Sequence, residues 1–532
     1  MERLFVFAVG GSGARVLRSF TMLLASGQDS MKDYDVYPII LDYDENNGDT
    51  NIATKCIEHY KSIHDAAWKD EKMSRESGYF KSNLCQLKAD DRFGGSSFRM
   101  VYAPKGCEIY KDYIGFNTLG KDEANGVNTA LTQMLLDSLY NTDPASDDSE
   151  INLNMEVGFK GNPNIGSVVF HDLDSECMEF KQFLLHLNPN DKVVVIGSLF
   201  GGTGSSGIPE IIRKIRAKVP AVQIGAVLVM PYFAPEPKPG GTIRYEIFNS
   251  KTKAAINYYE DSGMIKFDAT GNMTGGMINS VYFIGDPKPT ILRYCDGGER
   301  QLNPANLVEF ISALAILNFV EGGRGSFKYG VNQYLIGENL AVKQLFYDDL
   351  FDTANFTKPI IQRLTSFTVA LKYSMFRMLK PDSSLKSTAY YSRFTLDKPR
   401  KNMQTMLNEM KHFWEEYQRW LDELSNKNEM PDKGNSHSLT LFGTNPDLEI
   451  LIEKPTEQAA GKRGGIFGPG RRQGNKSVKG STIDGLINQS VANFKPTGWT
   501  GEFVTSDEEF LLMHGLYEAS TNEKEIVRPL FN

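Results

Sequence analysis

Apolar residues gather along this chain in short continuous runs, and most runs stop at glycines, acids or proline. The first, residues 4–10 (LFVFAVG), runs into Gly10-Gly11-Ser12-Gly13. Behind it Val16, Leu17, Phe20, Leu23 and Leu24 recur at spacings of three and four, which predicts a helix over 14–25. A second run at 36–41 (VYPIIL) stops at Asp42-Tyr43-Asp44. A third at 192–197 (KVVVIG) leads into a second glycine turn, Gly201 to Gly207, ahead of a predicted helix at 208–218. Runs at 223–230, closed by Pro231, and 280–285, closed by Asp286-Pro287, complete the set. Continuous rather than alternating apolar strands are what a parallel sheet covered on both faces requires. Their alternation with helices predicts an α/β fold with a Rossmann-like parallel sheet. Such sheets bind ligands beyond the carboxyl ends of their strands, where these glycines and acids gather.

Residues 305–320 (ANLVEFISALAILNFV) are apolar on nearly every face, which predicts a central buried helix. Residues 46–157 are polar and irregular, with a helical pattern only at 126–141, and read as an insertion on the sheet framework. Beyond 320 the pattern is mixed. Helices are expected near 340–380 and 401–425 and strands at 438–442 and 449–453, giving an α+β carboxyl-terminal region over 321–532. In 401–425, Met403, Met406, Leu407, Met410, Phe413, Trp414, Tyr417, Trp420, Leu421 and Leu424 form one apolar stripe, as in a helix docked on a core. Residues 461–480 hold seven glycines and six basic residues without an acid, the composition of a flexible loop.

The chain has 532 residues, room for two to four domains at roughly 100–200 residues each. With 41% apolar and 23% charged residues it has the composition of a soluble globular protein. A net charge of −8 argues against a chain-wide nucleic-acid footprint. Within the basic loop (Lys462, Arg463, Arg471, Arg472, Lys476, Lys479) only Phe467 offers a ring for base stacking. Cys56, Cys85, Cys107, Cys177 and Cys295 form no C-x-x-C pair, so a reducing cytoplasm is expected. The start lacks a signal-peptide pattern, and no apolar run approaches the ~20 residues of a membrane span. The histidines form no metal-binding cluster, and His171-Asp172 is expected to open a helix. No G-x-S-x-G elbow of a serine hydrolase is present.

The chemistry lies in the two glycine turns. Phosphate oxygens need several backbone N–H donors converging on them, which side chains would block, and a helix N-terminus adds the positive end of its dipole. The hydroxyls of Ser12, Thr203, Ser205 and Ser206 are further candidate donors. The first turn alone is better explained as a tight connection, but a second, longer turn of the same kind points to phosphate. Neither is a Walker A loop, since no Gly-Lys-Ser/Thr follows. The first also misses the dinucleotide fingerprint, having Val16 at the third glycine position.

Residues 193–209 (VVVIGSLFGGTGSSGIP) resemble the signature of the tubulin/FtsZ family, a buried strand ending in G-G-G-T-G-[ST]-G. Gly201, Gly202, Thr203, Gly204 and Pro209 match, and Phe200 replaces the first glycine. Four more segments resemble the family in chain order. VGGSGARV is similar to its amino-terminal loop, and ILDYDEN to its I-N-T-D loop. GFKGNPNIG at 158–166 is similar to the γ-phosphate loop G-x-G-x-G-G-N-P-E-I-G, and Asn303-Pro304-Ala305-Asn306-Leu307-Val308 to the start of the central helix.

The resemblance implies a tubulin/FtsZ-type GTPase domain over 1–320 that binds GTP or GDP with Mg²⁺, as in the divergent bacterial tubulin-like proteins. The implied nucleotide contacts are Gly10, Gly11, Ser12, Gly13, Asp42, Asp44, Gly161, Asn162, Gly201, Gly202, Thr203, Gly204 and Ser205, with Asp44 also facing the metal. Glu236 beside Pro231-Tyr232-Phe233 would serve the ribose, Arg244 a phosphate, and either Asn303 or Asn306 the guanine edge. Self-association head to tail, into an oligomer or filament, is implied as well, with a protein partner through the insertion or the carboxyl-terminal region.

The family's N-x-D-x-x-[DE] acid loop is not recognisable after residue 320. Asp349 and Asp352 share its spacing but lack the leading asparagine, and Glu338 is a poorer candidate. GTP binding is thus better supported than hydrolysis. Two readings follow: a self-assembling GTPase, or a non-polymerising GTP-binding scaffold or sensor that recruits partners. A Rossmann-type oxidoreductase, which would carry NAD or flavin, is a distant third.

Overall fold

Each apolar run becomes a strand of one parallel sheet. The computed structural model describes residues 2–69, 73, 76–87, 97–102, 108–116, 129–140, 150–156, 158–238, 245–270, 273–295, 297–322, 330–335, 344–346, 357–379, 381, 383–425, 438–440, 452–453, 478–497 and 507–527. β1 (Glu2–Val9) leads into α1 (Gly10–Ala25) and β2 (Tyr34–Asp42) into α2 (Gly48–Ala67), followed by β3 (Asn83–Leu84) and β4 (Arg99–Val101). Helices α3 (Tyr110–Tyr113), α4 (Thr129–Tyr140), α5 (Pro163–His171), α6 (Leu173–Glu176) and α7 (Met178–His186) precede β5 (Lys192–Ser198) and α8 (Gly202–Lys218). Then come β6 (Gln223–Val229), β7 (Phe233–Pro235), α9 (Phe248–Asp261), a hairpin of β8 (Ile265–Phe267) and β9 (Met273–Gly276), and β10 (Ser280–Gly285). β11 (Thr290–Leu292), α10 (Leu307–Gly322) and β12 (Gly330–Leu335) complete this part.

The main sheet runs β12-β10-β6-β5-β1-β2-β3, with β4 also on β2, and all of its pairings are parallel. Side chains alternate across a strand, so β1 feeds both layers. Leu4, Val6 and Ala8 pack with α1 and α10, whereas Phe5, Phe7 and Val9 pack with α5, α7 and α8. β1 lies between β2 and β5, with Val6 opposite Pro38 on one side and Val194 on the other. This order places the two glycine turns side by side.

The carboxyl-terminal helices α11 (Thr357–Tyr373), α12 (Ser383–Lys386), α13 (Ala389–Arg393), α14 (Lys401–Leu424), α15 (Gly480–Asn493) and α16 (Glu508–Ser520) share the buried cluster of the α1 face. All ten residues of the α14 stripe are buried. The indole of Trp420 donates to Ser19 Oγ of α1 at 3.0 Å, and Arg18 pairs with Glu423 at 2.7 Å. Short parallel pairs join 344–346 to 438–440 and 452–453 to 478–479. Among the described residues no helix is long and apolar enough to cross a membrane.

The structure corrects four expectations. α1 and α8 start at Gly10 and Gly202, not at 14 and 208, so the glycines form first helical turns rather than preceding loops. The segment 46–157 contains the 20-residue α2 besides the helix expected at 126–141, which spans Thr129–Tyr140. Its apolar stripe is Ala53, Cys56, Ile57, Tyr60, Ile63 and Ala67, all buried, and Asn47 caps it by accepting from the N–H groups of Asp49 and Thr50. His171 ends α5 instead of opening a helix, and the four-residue α6 starts after Asp172. The central helix begins at Leu307 rather than 305.

Candidate functional site

An open cleft lies beyond the carboxyl ends of β1, β2 and β5. Its floor is the two glycine turns. Gly10 has φ of +72°, which glycine adopts without strain, and a Cβ there would lie 3.3 Å from Thr203 Cβ, so the turns touch. A Cβ on Gly204 would meet the Ser198 backbone N at 2.8 Å, and one on Gly202 would meet Phe159 Cβ at 2.9 Å and Gly161 N at 3.0 Å. Lack of side chains is what lets α8 and the loop 158–161 come together here.

The first N–H groups of a helix have no partner within it. In α2 a side chain and a first-turn acid serve them, but α1 and α8 have neither a side-chain cap nor an acid in the first turn. Both ends open on the cleft, which Gly10, Gly11, Ser12, Gly201, Gly202, Thr203 and Gly204 line. Two partly positive helix ends facing one cavity are suited to an anion.

Gly161, Asp42, Asp44 and Asn303 also line the cleft. Asp44, expected at the metal, is engaged on both oxygens: Oδ1 accepts from Asn46 N at 3.0 Å and Oδ2 from Gly298 N at 2.7 Å. Asp42 is the carboxylate with spare capacity, since its buried Oδ2 has no hydrogen-bond partner. Burial, reinforced by Asp44, pushes its pKa up to about 7. A divalent cation or a ligand donor at Oδ2 would satisfy it.

In divalent-free buffer Asp42 therefore opposes folding. Its folded pKa lies above the unfolded one, so stability falls as pH rises toward 7 and levels off above. Asp42→Asn is expected to raise stability by about 2–4 kcal/mol at pH 8 and by less at pH 5. Denaturant unfolding at the two pH values checks this; an equal gain at both would contradict it.

Other expected residues sit elsewhere. Gly13 is a packing position, where a Cβ would lie 2.8 Å from Ala8 C and from Ile196 O. The Ser205 hydroxyl turns back to the Gly201 carbonyl and the Ser206 hydroxyl donates to Gly202 O at 2.6 Å, so neither faces the cleft. Asn162 is the N-cap residue of α5. Glu236 follows β7 and donates its N–H to Leu292 O at 2.7 Å, while its neighbour Pro235 lines the cleft. Asn306 caps α10: its Oδ1 accepts from Val308 N at 2.9 Å, and Glu309 accepts from Asn306 N at 3.0 Å. Of the two asparagines, Asn303 is the one at the cleft. Its N–H and Nδ2 both donate to Asp49, at 2.9 and 2.8 Å. Arg244, Glu338, Asp349, Asp352 and the basic residues from Lys462 to Lys476 lie outside the described residues.

Beneath the floor lies a buried charge network. Arg15 of α1 donates to Asp49 at 2.5 Å, to Glu309 at 2.6 Å and to Tyr232 Oη at 2.6 Å. Burial opposes the Arg15 charge, but Tyr232, Glu309 and Asp49 more than offset that and hold its pKa above the ordinary value. Burial raises the Glu309 pKa against the pull of Arg15. The network ties α1, α2, α10 and the β6–β7 loop together under the cleft.

The sequence did not single out Asn47, Lys160, Phe248, Arg293 and Gln301, which also line the cleft. Asn47 carried a signal, as a cap residue before Gly48 and Asp49; Phe248 and Gln301 carried none. Phe200, in place of a glycine, packs into an aromatic cluster, its ring centroid 4.7 Å from Phe248 and 5.5 Å from Phe233.

No protein-family model matches the chain, and no curated protein matches it. Among solved structures it is similar to CetZ from Methanosaeta thermophila, at 11% identity and a TM-score of 0.30, covering 61% of this chain and 56% of that one. A likeness this weak carries no argument about the ligand. The fold and the site define an α/β protein with a cleft suited to an anion at the ends of a parallel sheet.

Proposed function

We propose that the cleft binds a guanine nucleotide, GTP or GDP with Mg²⁺, and that the chain is a tubulin/FtsZ-like protein that self-assembles through nucleotide-dependent contacts. The observation that carries this reading is the convergence of two uncapped, acid-free helix N-termini, α1 and α8, on one cavity. The ordered motif resemblance supports it. Backbone N–H groups of 10–12 and 201–204 would hold the phosphates. Asp42, with its orphaned Oδ2, would hold the cation beside Asp44. When bound, the cation neutralises phosphate charge. Asn303 would accept from the N–H groups of the guanine edge through its side-chain oxygen. The nucleotide-binding unit would end with α10.

The test is titration of the purified chain with GTP, GDP and ATP, followed by turnover per subunit and light scattering against protein concentration. Turnover that rises cooperatively with concentration supports an assembling GTPase. Tight GTP binding with flat, negligible turnover and no scattering indicates a non-polymerising scaffold or sensor. Absence of binding to any of the three overturns the nucleotide reading.

A further inference from the structure

Among the described residues, Lys160 is the one non-glycine residue that lines the cleft at positive φ. Its φ is +44°, between Gly158 at +84° and Gly161 at +79°. Among the described residues only Phe80 and Thr395 share that property, and neither lines the cleft. The γ-phosphate loop pattern that this segment resembles has glycine at this position. A glycine would adopt the conformation without penalty, so the lysine retains strain for its side chain.

The residue lies in the loop that packs on the start of α8. A Cβ on Gly158 would lie 3.6 Å from Thr203 Oγ1, and one on Gly202 would lie 3.0 Å from Gly161 N, so the loop rests on the start of α8. Lys251 of α9 donates to the Gly161 carbonyl and braces the loop from outside. Lys160 itself has no acidic partner among the described residues, and α8 has no acid in its first turn. A half-buried lysine lining the cavity, beside partly positive helix ends, suits a ligand carrying more negative charge than those ends neutralise.

We propose that Lys160 is a specificity-determining cation that takes the terminal phosphate of the nucleotide and makes the cleft select triphosphate over diphosphate. This rests on the nucleotide reading above. A lysine binds phosphate as a point charge through a charge-assisted hydrogen bond, so the contact strengthens with the charge of the terminal group.

The experiment measures GTP and GDP affinities of the full chain and of Lys160→Gly and Lys160→Arg at two salt concentrations. Lys160→Gly removes the cation and relaxes the backbone, so its apo melting temperature should equal or exceed the parent's. The expected result is a loss of GTP affinity on the order of 10-fold in Lys160→Gly, with GDP changed less than about 2-fold. Lys160→Arg should retain most of the preference. The salt dependence of GTP binding should be shallower in Lys160→Gly. If the parent binds both nucleotides and Lys160→Gly leaves their ratio unchanged, this assignment is overturned while the nucleotide site stands. If the parent binds neither, the nucleotide site falls, and this assignment with it.

Discussion

Gly202→Ala should weaken GTP binding by at least about 100-fold, equivalent to roughly 2.7 kcal/mol. The added methyl would lie 2.9 Å from Phe159 Cβ, 3.0 Å from Gly161 N and 3.2 Å from Phe159 C. These are mostly main-chain atoms, and the Phe159 side chain has no room to withdraw. It is 1% exposed and packs against Tyr43 and Phe170, with ring centroids 5.0 and 5.7 Å away. In a close-packed interior the strain is relieved by moving the loop, not the ring. The loop 158–161 then lifts off α8 and one wall of the cradle is lost. Adding Thr203→Ala removes a hydroxyl from the same wall. Gly11→Ala is the control, because its methyl would meet Gln301 Nε2 at 3.1 Å, the end of a side chain that can swing away. It should lose only several-fold, an effect on the order of 1 kcal/mol. Titration with labelled GTP, with melting curves to verify folding, reads both. Parent-like affinity in Gly202→Ala would mean that phosphates do not sit between α8 and this loop.

The second large effect concerns stability. Arg15→Met should destabilise the protein by about 3–5 kcal/mol, because it strands buried carboxylates. Asp49 and Glu309 have side chains 1% exposed, and Arg15 is the cation between them. Methionine replaces much of the arginine's length, so lost packing is a minor part. Two further measurements separate stranded charge from a cavity. The deficit should shrink between pH 7 and pH 5, because burial already holds the Glu309 pKa high and it takes up a proton readily. Adding Glu309→Gln to Arg15→Met should restore more than about 1 kcal/mol. A pH-independent deficit with no recovery would assign the loss to packing. Binding should weaken as well, since Asp49 holds Asn303 by two hydrogen bonds.

Much of the cleft was legible because its chemistry is local. Gly10, Gly201, Gly202 and Thr203 follow apolar runs directly, and a strand ending in glycines before a helix is visible within a dozen residues. The helix starts were misplaced because glycine is a poor helix former, so the first turns read as loops. α2 was missed because its stripe uses Ala, Cys and Tyr among Lys, His and Asp, which mutes the periodicity. Asn303 and Asn306 were inseparable at first, although Asn306-x-x-Glu309 carries a capping-box spacing that marks Asn306 as structural. Arg15 carried no signal of its own in the sequence. Its partners lie 34, 217 and 294 positions away along the chain, so no local pattern signalled its burial.

The sequence by itself determined the apolar runs, their parallel-sheet character, the glycine turns and the stripe that docks α14. Those follow from periodicity and backbone freedom, which act over a few residues. Only the tertiary structure decided that β5 lies beside β1, so that two weak turns become one cleft. It also decided that Asp42 keeps a spare oxygen while Asp44 is tied, that Arg15 sits between two buried acids, and that Lys160 is held at positive φ. The hydrophobic effect is non-directional. An apolar run records that a strand is buried but not which strand it lies against, and every charge partner in this site depends on that neighbour.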